Sequence, residues 1–118
     1  MQEQAVGRLQ MEADLQRAIE RQQFQVHYQP IICLETDKII GFEALVRWVH
    51  PTRGMVSPAE FIPLAEETGL IEFIDRWVLR EACLQLSTWQ QLFSSEKPLT
   101  MSVNLSSVQL AQLGLIER

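Results

Sequence analysis

The stretch GFEALVRW, residues 41–48, is rich in strand-forming residues yet carries one acid and one base. Successive side chains of a strand point to opposite faces, so Glu43, Leu45 and Arg47 share one face. The opposite face is wholly apolar and comprises Phe42, Ala44, Val46 and Trp48. We therefore predict one packed face and one face on which a carboxylate serves a metal ion, a cation or proton transfer.

The segments on either side of this strand complete a hairpin. Residues 24–34 are strand-like, residues 35–38 (ETDK) form a polar turn, and the second strand covers residues 39–50. Two strand-like segments separated by about four polar residues are typical of an antiparallel hairpin. The motif HPTRG, residues 50–54, contains a proline and a glycine and is predicted to break the second strand.

Helices are predicted before and after the hairpin. Residues 3–22 form an amphipathic helix whose charged residues are typical of a solvated face. Ser57 is a predicted N-cap, with Pro58 at the first helical position, Glu60 completing a capping box and Gly69 ending the helix. A longer helix spans residues 71–89, and residues 99–105 form a third strand before another capping box at Ser106.

This order of elements predicts an α/β fold, because a strand that follows a helical crossover pairs in parallel with the strand before it. The third strand is expected to pair with residues 39–50. A sheet of three strands leaves unpaired edges, which favour self-association. We therefore expect the chain to be part of a larger unit.

Composition excludes several classes of protein. The chain has 118 residues, 47% of them hydrophobic, which suits one small globular domain. A net charge of −5 gives no electrostatic reason to bind a nucleic acid polymer, and no apolar segment approaches the roughly 20 residues of a membrane span. Cys33 and Cys83 are predicted to be buried free thiols, as in a cytoplasmic protein.

A series of motifs resembles one known family. The matching strings are YQPI (residues 28–31), GFEALVRW (41–48), HP (50–51), SP (57–58), FIP (61–63), AE (65–66), GLI (69–71), WVL (77–79) and VNLS (103–106). Together they resemble the N-terminal half of EAL domains, the bacterial phosphodiesterases that hydrolyse cyclic di-GMP. The resemblance runs from about residue 9 to the end of the chain and implies the N-terminal part of a modified (β/α)8 TIM barrel. In that barrel the first strand is antiparallel to the second, as the hairpin independently predicts.

The resemblance also implies a domain organisation. Residues 1–22 resemble the connector that follows a GGDEF domain in tandem signalling proteins, and residues 23–118 resemble a truncated EAL domain. A TIM barrel takes about 250 residues, so the chain would supply less than half of one. The family's remaining acidic ligands and its lysine would follow Arg118 in a parent protein. The isolated fragment is therefore expected to be inactive.

Two residues match the family's metal ligands. Glu43 and Asn104 would offer hard oxygen donors to Mg²⁺ or Mn²⁺, and the complete domain would hold two ions. Each residue also has a structural interpretation. Glu43 could pair with Arg47, and Asn104 could cap a helix, although Ser106 is the better cap.

Three residues match ligand-contacting positions of the family. Arg47 would bind a phosphate of cyclic di-GMP, Gln29 would hydrogen-bond guanine or phosphate, and Leu45 would form an apolar wall. The structural alternatives are an ion pair for Arg47, an exposed edge-strand amide for Gln29 and ordinary core for Leu45. His27 and His50 lack an acid, cysteine or serine partner at usable spacing, so no catalytic dyad is predicted there.

Three functional hypotheses remain open from the sequence. The first is a metal-dependent phosphodiesterase domain that opens cyclic di-GMP to the linear dinucleotide, working with an upstream GGDEF or sensor domain. The second is a degenerate EAL domain that senses cyclic di-GMP or binds a protein partner without cleavage. The third is a fragment whose exposed edges drive self-association. The presence of Glu43 favours the first for the parent domain.

Overall fold

The computed structural model describes residues 2–92 and 99–104. Three helices and four strands occur in these ranges. In chain order they are α1 (Gln2–Glu20), β1 (Phe24–Ile32), β2 (Ile39–His50), β3 (Gly54–Val56), α2 (Pro58–Thr68), α3 (Ile71–Leu92) and β4 (Thr100–Val103). The predicted loop at residues 94–98 and the capping box at Ser106 lie outside the described residues.

The long strand β2 organises the sheet. β1 pairs with it in antiparallel register, from Phe24 opposite Trp48 to Ile31 opposite Gly41, so the predicted hairpin is confirmed. β4 pairs with it in parallel, and this register places Glu43 opposite Ser102. β1 pairs with one edge of β2 along most of its length. On the other edge, β4 pairs with residues 41–44 and β3 pairs with residues 48–50.

The short strand β3 was not predicted. Residues 51–53 form a turn after β2, and the chain then runs back so that Gly54 lies opposite His50 and Val56 opposite Trp48. Gly54 adopts a φ of 75°, which glycine tolerates without the strain that a side chain would add. The predicted break is therefore a hairpin turn, and its return strand has only three residues, too few to show alternation in the sequence.

The helices cover one face of the sheet, which we call the helix-covered face. Its centre is a cluster of three aromatic rings, those of Phe24, Trp48 and Phe61, with centroids 5.7–5.9 Å apart. Trp48 and Phe61 are fully buried, and the Trp48 indole donates a hydrogen bond to the Gln23 side chain over 3.1 Å. The apolar face predicted from residues 41–48 is thus the packed face of the sheet.

Helix α1 contributes directly to this core. Leu15 and Ala18 have no exposed surface and belong to the same buried cluster as Trp48 and Phe61. The C-terminal half of α1 therefore packs against the sheet rather than standing apart from it. No described helix is long and apolar enough to cross a membrane.

Local signals place α2 as the sequence predicts. The Ser57 hydroxyl accepts a hydrogen bond from the N–H of Ala59 over 3.3 Å, and Pro58 opens the helix. Gly69 ends it in the left-handed region, with a φ of 81°. The N-cap and the C-terminal glycine are confirmed, although the Ser57 side chain bonds one residue earlier than a capping box requires.

The prediction of buried cysteines is wrong. Both thiols are free, but Cys33 is only half-buried and Cys83 is exposed. Cys33 follows β1 in the hairpin turn, where its N–H donates to the carbonyl of Lys38 over 2.9 Å. Hydrogen bonds from the Thr36 side chain, and from the backbone of Thr36 and Glu35, hold the pKa of the Cys33 thiol below its usual value. The apolar neighbours of each cysteine in the sequence do not predict its burial here. Cys33 lies in a turn, and Cys83 lies on the outer face of α3.

Candidate metal and ligand-binding face

The face of the sheet opposite the helices carries the predicted site residues, and we call it the polar face. The antiparallel register sets Gln29 opposite Glu43 and His27 opposite Leu45. Paired residues of neighbouring strands share a face, so the side chains of β1 and β2 form two adjacent rows there. Gln29 is exposed, whereas Glu43 and Leu45 are half-buried. The structure therefore brings Gln29 and Glu43 together.

Asn104 joins this group from the end of β4. Its side-chain amide nitrogen donates a hydrogen bond to Oε1 of Glu43 over 3.0 Å, across a separation of 61 residues in the chain. The parallel pairing of β4 with β2 makes this contact possible, because Asn104 follows Val103, which lies opposite Ala44. The two predicted metal ligands are thus neighbours at the carboxyl end of a parallel strand.

A close approach of two strands supports that contact. Gly41 on β2 lies against Thr100 on β4, so closely that an added Cβ would sit 2.7 Å from the Thr100 carbonyl oxygen. Real Cβ atoms essentially never come so close to a backbone oxygen, so the two strands can reach this separation only with glycine at position 41. Gly41 therefore helps to set the position from which Asn104 reaches Glu43.

The donor chemistry of this pair fits a divalent cation in part. A carboxylate and an amide carbonyl are hard oxygen donors of the kind that Mg²⁺ and Mn²⁺ prefer. Asn104 now turns its nitrogen toward Glu43, and a half-turn of its amide would present the oxygen instead. No group of three histidine, cysteine, aspartate or glutamate side chains that could hold a metal occurs in residues 2–92 and 99–104. The described part of the chain supplies two donors, fewer than such an ion needs.

Arg47 lies further along the polar face and is half-buried. Its guanidinium Nη1 donates to the carbonyl of Val46 over 3.0 Å. Arg47 is four positions after Glu43 along the strand, which corresponds to about 13 Å, and no ion pair joins them among the described residues. The structural interpretation of Glu43 as the partner of Arg47 is therefore not observed.

Leu45 lies on the same face between the two charged residues. It is half-buried and faces His27, whose ring nitrogen Nε2 lies 3.3 Å from the Gln25 side-chain oxygen. An apolar side chain flanked by a carboxylate and a guanidinium offers a surface on which a flat ring can lie with polar groups at either end. The polar face thus places an apolar side chain between a carboxylate and a guanidinium along one strand.

Comparisons with known proteins show the family of the chain. A family model described as the EAL domain matches residues 12–118. The chain belongs to the EAL domain family. The match begins within α1, whose Leu15 and Ala18 pack in the core of the fold.

Relatives of this EAL chain are much longer than it is. MucR of Pseudomonas aeruginosa, named a bifunctional diguanylate cyclase/cyclic di-GMP phosphodiesterase, is 44% identical over 117 residues, which cover 99% of this chain and 17% of MucR. NbdA of the same organism, named a cyclic di-GMP phosphodiesterase, is 40% identical over 113 residues, 96% of this chain and 14% of NbdA. The chain therefore spans less than a fifth of either relative.

A solved structure supports the fold. The structure of the MucR phosphodiesterase in complex with c-di-GMP superposes with a TM-score of 0.82 at 45% identity, covering 90% of this chain and 42% of that one. EAL domains are TIM barrels, so the prediction of an α/β fold forming the N-terminal part of such a barrel is confirmed.

One contact of the structure was not predicted. His50 has an acid partner after all, because its Nε2 lies 3.3 Å from Oδ2 of Asp14 on α1. Thirty-six residues separate the pair, so spacing along the chain could not reveal it. The amphipathic pattern of the first helix predicts that α1 packs on an apolar surface, but it does not show where on the sheet the helix docks.

Proposed function

We propose that the chain is part of a metal-dependent phosphodiesterase domain that hydrolyses cyclic di-GMP to the linear dinucleotide. The observation that carries this proposal is the contact between Glu43 and Asn104 on the polar face, in a chain 44% identical to a named cyclic di-GMP phosphodiesterase. Both residues match family ligands, and their oxygens suit Mg²⁺ or Mn²⁺. Such an ion supplies Lewis-acid activation of a phosphodiester and of water.

The chain's own residues would bind and orient the ligand. Arg47 presents a planar guanidinium, which binds phosphate oxygens in pairs, and Leu45 offers an apolar wall to a guanine ring. Gln29 stands opposite Glu43 and can hydrogen-bond a base or phosphate beside the metal ligands. Holding the phosphodiester in a fixed orientation to the metal would contribute to rate by proximity.

We propose that the 118-residue polypeptide alone does not catalyse the reaction. Glu43 and Asn104 offer two donors, whereas the family's two ions require more ligands than the described residues provide. The solved MucR chain is more than twice as long as the matched part. The remaining ligands would come from the second half of the barrel.

The proposed setting is a cytoplasmic signalling protein. The name of MucR pairs a diguanylate cyclase with a phosphodiesterase, which supports a GGDEF domain upstream of residues 1–22. A helix at that position would link the two domains, with residues 23–118 forming the truncated EAL part. Two free cysteines are compatible with a reducing compartment. Self-association of the isolated chain through its sheet edges remains a prediction that light scattering can test.

A chimera tests the proposed activity. The chain replaces the matching segment of the MucR phosphodiesterase domain, and hydrolysis of cyclic di-GMP is followed with Mg²⁺ or Mn²⁺. We expect the chimera to hydrolyse the ligand, Glu43→Gln to abolish turnover and the isolated chain to show none. The matched control is Glu60→Gln, which removes an exposed carboxylate from α2 and is expected to leave turnover unchanged.

The outcomes separate the two main hypotheses. A folded chimera that binds cyclic di-GMP without cleaving it would assign this chain to a ligand sensor. Turnover that survives Glu43→Gln would remove the residue from the metal site. Equal loss of activity in Glu60→Gln would show that the effect is structural rather than catalytic.

A further inference from the structure

A polar cavity lies away from the polar face. It has a volume of about 470 Å³ and opens between the C-terminal half of α1 and the turn that joins β2 to β3. His50, which lines it, alternates in β2 with Trp48, and their ring centroids are 5.7 Å apart. The cavity is therefore on the helix-covered side of the sheet, whereas Glu43 points to the other side. Its size falls within the range of small-molecule sites.

Three arginines line this cavity, which we call the arginine cavity. Arg17 lies in the last turn of α1, Arg21 is the first residue after that helix, and Arg53 comes from the β2–β3 turn. These are three of the ten basic residues in a chain with a net charge of −5. The sequence suggested a solvated helix face, but the fold brings an arginine from a distant turn to the same place.

The single carboxylate of the cavity is already engaged. Asp14 Oδ1 accepts hydrogen bonds from Gln10 over 3.0 Å and from Arg17 over 3.2 Å. Its Oδ2 lies 3.3 Å from His50. Among the described residues, no ion pair neutralises Arg21 or Arg53. The guanidiniums of Arg21 and Arg53 thus have no acidic partner among the described residues, whereas Arg17 shares Asp14 with His50.

A network of hydrogen bonds joins the β2–β3 turn to α1 at this cavity. Nδ1 of His50 accepts from the backbone N–H of Thr52 and of Arg53, each over 3.1 Å. The ring proton therefore sits on Nε2, which donates to Asp14. The turn that carries Arg53 is thereby tied to α1, which carries Arg17 and ends just before Arg21. These bonds fix the backbone at the cavity, whereas the side chains of Arg21 and Arg53 are exposed, and Nη1 of Arg53 lies 3.9 Å from Sδ of Met11.

We propose that the arginine cavity binds a phosphate-bearing anion. Guanidinium groups pair with phosphate oxygens through two parallel hydrogen bonds, and three of them approaching from two sides can surround a tetrahedral anion. The phosphate could be free inorganic phosphate or the phosphate of a nucleotide. This inference does not depend on the proposed phosphodiesterase activity, because it uses other residues on the opposite side of the sheet.

Calorimetric titration of the chain with three probes at constant ionic strength tests this site. The probes are inorganic phosphate, guanosine monophosphate and guanosine, with chloride replacing phosphate in the blank. We expect both phosphate-bearing probes to bind and guanosine not to bind. Arg21→Gln and Arg53→Gln should each weaken phosphate binding by roughly tenfold, since each removes a charged hydrogen-bond donor. The matched control, Arg80→Gln, removes an exposed arginine from α3 and should leave affinity unchanged.

Each outcome decides the proposal. Equal affinity for phosphate and guanosine monophosphate would identify the anion itself as the ligand, and tighter binding of the nucleotide would identify a nucleotide site. Absence of binding by a chain that unfolds cooperatively would overturn the proposal. Binding weakened equally by Arg80→Gln, or unchanged in both cavity variants, would overturn it as well, leaving only diffuse attraction to surface charge. Thermal unfolding of each variant controls for loss of structure.

Discussion

The two faces of the sheet are built from alternate residues of the same strand, yet they follow different rules. On the helix-covered face Trp48 is fully buried among other rings. On the polar face its neighbour Arg47 is half-buried and Gln29 is exposed. The helix-covered face is held by close packing, so that loss of a methylene group there leaves a cavity. On the polar face, strand register and single hydrogen bonds set the positions of the polar groups.

This difference separates stability from activity along one strand. Apolar area removed from water stabilises the fold by about 25 cal/mol per Å², and nearly all of that burial is on the helix-covered face. The polar face can therefore carry charged side chains at small cost to folding. Substitutions on β2 should alternate in effect with the parity of the residue number.

The largest expected effect is on the helix-covered face. Trp48→Ala should lower the free energy of unfolding by about 3–5 kcal/mol, because the indole is fully buried against Phe24 and Phe61. Urea denaturation followed by circular dichroism measures the loss. Leu45→Ala, three residues earlier on the polar face, should cost roughly 1 kcal/mol. Equal losses for the two variants would contradict the distinction between the faces.

A smaller loss of stability is expected from a change at the pairing of β2 with β4, which supports both faces of the sheet. Gly41→Ala should cost roughly 1–3 kcal/mol, because the new methyl group would meet the backbone of Thr100. Hydrogen exchange of the β4 amides would show whether that strand has moved away from β2. Gly7→Ala is the matched control and should stabilise the chain by about 0.5–1 kcal/mol, because this helical glycine has open space around it. Unchanged protection of β4 in Gly41→Ala would show that the strands adapt.

The sequence predicted the packed face better than the site. Strand β2, the first hairpin and the caps of α2 follow from local signals, and each is observed at or near the expected residue. Glu43 and Asn104 were assigned by resemblance, and only the parallel register of β4 shows that they touch. The Asp14–His50 contact could not be predicted because it depends on how α1 docks. Strand β3 was missed because three residues have no periodicity.

Removal of the charge from the polar face should leave stability nearly unchanged. Glu43→Gln retains an oxygen that can accept from the Asn104 amide, so we expect the free energy of unfolding to stay within about 0.5 kcal/mol of the parent. Thermal and urea unfolding provide the measurement. A loss of stability above roughly 1.5 kcal/mol would show that the Glu43 carboxylate stabilises the fold, as a member of a buried hydrogen-bond network does.

The smallest effect concerns the turn after β1, which belongs to neither face. In a Cys83→Ser background, Thr36→Val should slow alkylation of Cys33 near neutral pH. The Thr36 side chain is the main cause of the lowered pKa of the Cys33 thiol, so its removal raises that pKa and reduces the thiolate fraction. The rate of iodoacetamide labelling against pH measures the shift toward higher pH. Glu43→Gln is the control and should leave the labelling profile unchanged. Identical profiles for Thr36→Val and the parent would show that the Thr36 side chain does not lower the pKa of Cys33.

The contact between Glu43 and Asn104 also has a kinetic consequence. It closes a loop of 61 residues, whereas the hairpin of β1 and β2 closes through a short turn. Closure of a long loop costs more entropy, and contacts between distant residues slow folding. The hairpin and the helices should thus form first, with β4 docking afterwards. The pairing of Asn104 with Glu43 would then mark the last step of folding, so the metal ligands meet only in a chain that has already acquired its core.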